Sequence, residues 1–275
     1  MSDEASLPNA EIGRRFETYG KLKYKPLGVY FSENLPKGTI RRQHTILNRC
    51  IPVHALKAAY SGKISIISAE QGCLGGRWWA GFSKPPKGLA VFVSQGREKV
   101  FGGRAERYKK TAALVAGLMR DPGPVKQPPG NKYIVFQRLR EIPDNIKIEF
   151  VLFFASPTEM ASLVTLCYFS HNEDNIIRAP TGSGCQSILS FPMVMQDAPE
   201  PDAVMGLWDL FARRSLPQNI LTLAIRRWYA EEMAIDIPQS FLAHAAPFTL
   251  KGELILLLRR LRKKWKGKDE TSKSD

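Results

Sequence analysis

No apolar run in this chain of 275 residues approaches the roughly 20 that a membrane-spanning helix needs. The longest are FVLFFA at Phe150–Ala155 and LILLL at 254–258. The opening MSDEASLPNAE is polar and acidic, unlike a targeting signal, so the expected location is cytoplasmic. Cysteine is scarce: Cys50, Cys73, Cys167 and Cys185 form no CxxC pair and read as thiols, not as a disulfide framework. Histidine is equally scarce, and no HExxH, GxGxxG, GxSxG or EF-hand pattern occurs. The glycine-rich PTGSGCQS lacks the lysine of a phosphate-binding P-loop. Acidic side chains are outnumbered, 26 against 40 basic, which gives a net charge of +14. That balance points to anionic partners, whether nucleic acid, membrane or small molecule, without choosing among them.

What is present is ordinary globular composition, 44 % hydrophobic and 24 % charged, enough to bury a core without cross-links. Short apolar segments bounded by Gly and Pro alternate with helical patterns. Strands are expected at 27–33, 63–70, 133–139, 148–154, 175–179 and 220–228, and helices at 11–22, 51–60, 104–119 and 157–168. Ser156-Pro157-Thr158-Glu159 is a helix-start signature. This alternation implies an α/β fold, a mixed β-sheet flanked by helices. The expected layout is a disordered lead at 1–10, an α/β domain at 11–247, a basic amphipathic helix at 248–268 and a disordered tail at 269–275. The proline-rich DPGPVKQPPG at 121–130 is the candidate hinge between two lobes.

Three of the four cysteines fall in turns. Cys73 lies in Gly72-Cys73-Leu74-Gly75-Gly76 and Cys185 in Gly182-Ser183-Gly184-Cys185-Gln186, each just past a strand. Glycines there let backbone N–H groups converge on a thiolate, an anion or a cluster. Cys50 and Cys185 sit at expected helix starts, where the helix dipole favours the thiolate. Cys167, inside the apolar SLVTLCYF, reads as a core residue. His54, four residues after Cys50, could complete a zinc site with the three cysteines. Arg77, Trp78, Trp79 and Ser183 are candidate pocket residues: the indoles as a wall for a planar ligand, Arg77 as an anion holder. Asp209 and Arg213 are spaced to pair along a helix, and Tyr108, Lys109 and Lys110 read as the solvated edge of the 104–119 helix.

The C-terminal segment is a separate signal. Between 251 and 268 eight basic residues stand against Glu253, which accounts for half the net charge, and Leu250, Leu254, Leu257, Leu258, Leu261 and Trp265 share a stripe. Such a helix either lies on an anionic membrane or docks on its own domain. Nucleic acid is the less favoured partner, because aromatics are not interleaved with the basic residues there.

The succession LKYKPLGVYF, Arg49-Cys50, EQGCLGGRWWAGF, GGRAERYKK, YIVFQRL, FVLFFASP, APTGSGCQSI, PDAVMGLWDLFARR and LTLAIRRW resembles the bacterial and archaeal domain of unknown function 169 family. The resemblance spans roughly residues 22–242 and supplies an architecture and a suspected site, not a reaction. It implies that Cys50, Cys73 and Cys185 recur together. Some members carry further cysteines where this chain has Ala224 and Ile225. The expectation is therefore an iron–sulfur cluster on three thiolates with one open iron, zinc being the alternative metal, and with a small-molecule substrate or redox partner. The competing expectation is a non-catalytic small-molecule or anion-binding module with incidental cysteines.

Overall fold

The computed structural model describes residues 6–39, 50–96, 105–194 and 202–244. The elements run α1 (Asn9–Tyr19), β1 (Leu27–Ser32), α2 (Ile51–Ser61), β2 (Ser65–Ile67), α3 (Leu74–Trp79), α4 (Leu89–Val93) and α5 (Ala112–Arg120). There follow β3 (Tyr133–Arg138), β4 (Phe150–Ala155), α6 (Pro157–Cys167), β5 (Ile177–Arg178), a π-helical turn (Gln186–Ser190) and α7 (Phe191–Val194). The chain then forms β6 (Ala203–Gly206), α8 (Leu210–Arg213), β7 (Leu221–Arg226), α9 (Arg227–Asp236) and α10 (Phe241–His244).

Seven strands form one mixed sheet in the order β2-β3-β1-β4-β7-β6-β5. Only the β5–β6 pair among them is parallel. The centre is β4, whose six residues are all buried because both of its faces are covered. Successive side chains of a strand point to opposite faces, so β4 divides its load. Phe150, Leu152 and Phe154 enter one core with α2, Trp78, Trp79, Ile188 and Leu189. Val151, Phe153 and Ala155 enter a second core with α1, α6 and α9. The second core carries Cys167, fully buried beside Met233, in agreement with the apolar neighbours that mark it in the sequence.

Several boundaries differ from the sequence expectations. The first helix begins at the buried Asn9, whose N–H donates to Asp144, and not at 11. The expected 104–119 helix is only α5: Arg107 takes a left-handed φ of 58°, and Thr111 caps a new start by accepting from the Leu114 N–H at 3.3 Å. The 63–70 and 175–179 strands shrink to β2 and β5. Around Ser156 the capping box is complete, its hydroxyl accepting from the Glu159 N–H while the Glu159 carboxylate accepts from the Ser156 N–H at 2.7 Å. Residues 121–130 join α5 to β3, and strands from both sides of them share the sheet. The Val125 N–H donates to the Trp79 carbonyl at 2.9 Å, and Gln127 donates to the Ala80 carbonyl, which fastens this connector to α3. The basic helix expected at 248–268 and the tail after it lie outside the described residues. Among those described, no helix is long and apolar enough to cross a membrane.

Candidate functional site

On the face of the sheet covered by α2 and α3 lies a cavity of about 740 Å³. Cys50, Cys73 and Cys185 all line it, though they are far apart in the chain and arrive on three different elements. Each precedes a helical turn: Cys50 caps α2, Cys73 caps α3, and Cys185 precedes the π-helical turn. Two glycines allow this approach. A Cβ on Gly76 would meet Ile51 Cδ1 at 2.4 Å and the Cys73 Sγ at 3.0 Å, so only glycine lets α3 sit so close to the start of α2. A Cβ on Gly184 would lie 3.1 Å from both Pro52 and Ala212, where the Cys185 turn wedges between α2 and α8.

The thiols are electrostatically unequal. Cys73 accepts a hydrogen bond from the Cys185 thiol and another from the Gly76 N–H at 3.2 Å, which together hold it below the usual thiol range despite burial. Cys185, the donor of that pair and deeply buried, is pushed up. Cys50 is also pushed up, to about 11, by burial and by the neighbouring Cys73 and Asp209. The expectation that helix starts would favour thiolates at Cys50 and Cys185 is not met: burial opposes it at Cys50, the hydrogen bond to Cys73 together with burial opposes it at Cys185, and Cys73 is the member held low.

Asp209 organises the wall beside the cysteines. Its carboxylate accepts from the Gly184 N–H at 2.7 Å, from the Tyr108 hydroxyl at 3.0 Å, and from the N–H groups of Phe211 and Ala212, capping α8. It does not pair with Arg213, which instead donates to the carbonyls of Leu207, Gln218 and Ile220. Tyr108 is likewise no solvated helix edge: it lines the cavity beside Glu106 and Lys109. Burial and the charge of Asp209 push the Glu106 carboxyl up to about 7. None of Glu106, Tyr108 and Asp209 stood out as a site residue in the sequence. A Tyr and a Glu beside a misread helix carry no motif, and Asp209 looked like a helix-surface ion pair.

The remaining sequence candidates divide. Gly75, Ser183, Gly184 and Trp79 line the cavity. Gly72, Gly76, Arg77 and Trp78 do not: Trp78 is buried against Trp79 with ring centroids 4.1 Å apart, and Arg77 donates to the Ala69 carbonyl at 2.8 Å. His54 lines a separate small cleft with Lys57, Ser61 and Gln71. Among the described residues no group of three or more His, Cys, Asp or Glu is set to hold a single metal ion.

Much of the rest of the wall is apolar and aromatic, with Leu89, Phe92, Val93, Val115, Leu118 and Met119 supplied by α4 and α5. The molecule is thus an α/β protein with a thiol-bearing, largely apolar cavity on one face of a mixed sheet. Its sequence matches, over residues 15–235, the family model described as "Uncharacterised ArCR", and the chain belongs to the domain of unknown function 169 family. No curated protein and no solved structure matches it.

Proposed function

We propose that the chain binds an iron–sulfur cluster through Cys50, Cys73 and Cys185 and presents it to a small molecule in the adjoining cavity. The observation that carries this reading is the meeting of three distant thiols on one cavity wall. With His54 on another cleft, the donor set is sulfur alone, the set such clusters prefer. Three protein ligands leave one iron for a substrate, which is the chemistry a bound cluster would supply. The chain's own part is to set the Gly76 N–H on the Cys73 sulfur, at 3.2 Å, and to keep the apolar wall dry.

Anaerobic purification and reconstitution with ferrous iron and sulfide test this reading. Coloured protein with bound iron and acid-labile sulfide is expected, and its loss when the three cysteines become serine. A colourless protein free of iron, or one that takes up zinc alone, overturns it. A second reading, small-molecule binding without a metal, is favoured by the breadth of the apolar lining. It predicts that the triple serine variant retains ligand binding.

A further inference from the structure

Two hydrogen-bond donors in the cavity wall have no acceptor. The side-chain Nε2 of Gln186, a fully buried residue, is unpaired, although its Oε1 accepts from the Ser183 N–H at 3.0 Å. The indole Nε1 of Trp208 is buried and unpaired as well. Both residues line the cavity. A buried donor left without a partner costs about 1–3 kcal/mol, so two of them in one cavity wall favour a ligand that brings an acceptor to them. Both groups are donors only, which fixes the complementary chemistry as an acceptor such as a carbonyl oxygen.

Three further features narrow the ligand. Trp79, Phe92, Tyr108, Trp208 and Phe211 give the lining an aromatic character that suits flat rings. Among the described lining residues Lys109 is the sole cation, set against Glu106 and Asp209, so an anionic ligand is poorly matched. The volume suits a molecule of drug-like size. We infer that this cavity takes a neutral, ring-bearing carbonyl compound whose oxygen atoms accept from Gln186 and Trp208. The inference rests on the cavity being a ligand site and is independent of the metal.

Calorimetric titration of the full anaerobically purified chain tests it with three probes: acetylnaphthalene, naphthalene and naphthoate. Acetylnaphthalene is expected to bind about five- to tenfold more tightly than naphthalene, the worth of one or two satisfied donors. Naphthoate is expected to bind more weakly than the ketone. Trp208→Phe keeps the ring and removes the donor, and Gln186→Glu replaces the amide donor while keeping the oxygen that meets Ser183. Each should lower the ratio of ketone to naphthalene affinity, the two probes being compared within the same variant. Equal binding of ketone and hydrocarbon, tighter binding of naphthoate, unchanged preference in both variants, or no binding of any probe overturns the inference. Iron and sulfide measured on the same samples report on the cluster separately, so failure of one reading is not mistaken for failure of the other.

Discussion

Asp209 receives hydrogen bonds from the Cys185 turn, from Tyr108 and from two amides of the helix it caps, so one carboxylate ties three stretches of chain together. Replacing it by alanine removes a helix cap and orphans the Gly184 and Tyr108 donors. The expected loss is about 2–4 kcal/mol in chemical denaturation. Asn, which keeps an acceptor, should cost less than half of that. With Asp209→Asn the Glu106 carboxyl should also titrate lower, because the neighbouring charge that raises it is gone; carbonyl-edited NMR of labelled protein would register the shift. At this scale the sequence was only partly readable. The three cysteines stand out by their glycine turns. Glu106, Tyr108, Gln186 and Trp208 carry no pattern, because their roles come from what the fold places opposite them.

Between elements, close approach decides the geometry. The contact of α3 with the start of α2 depends on the missing side chain of Gly76, and Gly76→Ala forces Ile51 or the Cys73 sulfur to move. Overpacking of this kind costs about 1–3 kcal/mol, and here it also displaces the N–H that holds the Cys73 thiolate. The expected outcome is a lower melting temperature together with slower alkylation of Cys73 by iodoacetamide at neutral pH. Unchanged alkylation in a folded variant would show that Gly76 plays no part in activating the thiol. Local signals read most elements correctly where they were strong, as in the Ser156 capping box and the apolar β4. They failed before α5, where Ala105, Tyr108 and Ala112 keep a helical spacing. The spacing persists, yet the left-handed turn at Arg107 and the Thr111 cap break the helix, and a periodicity argument does not see either.

For the molecule as a whole, the half-buried carboxyl at Glu106 links stability to pH. Its folded value near 7 lies above the roughly 4.3 of an unfolded glutamate, so between these values the folded chain holds a proton that the unfolded chain has released. Stability contributed by this group is complete below about pH 4 and is lost as pH rises through 7. Glu106→Gln should flatten that part of the profile in denaturation curves taken across the window; an identical slope in the variant would remove Glu106 as its source. The α/β class and the alternation of strands with helices were legible because both follow from local periodicity. The strand order, and with it the meeting of Cys50 and Cys73 with Cys185, was not, since it is set by pairing between distant segments. The family resemblance hinted that the three cysteines belong together, and the sheet supplies the physical route. Half of the net charge lies in the segment 251–268, outside the described residues.

The wide separation of the three cysteine turns also sets a timetable for biosynthesis. A nascent chain exposes Cys50 and Cys73 long before the ribosome has delivered Cys185, and Asp209, which fastens the Cys185 turn, comes later still. Until β7 has been made and joined to β4, the sheet beneath the cavity is unfinished. The cavity that shelters these thiols can therefore close only after β7 has left the ribosome.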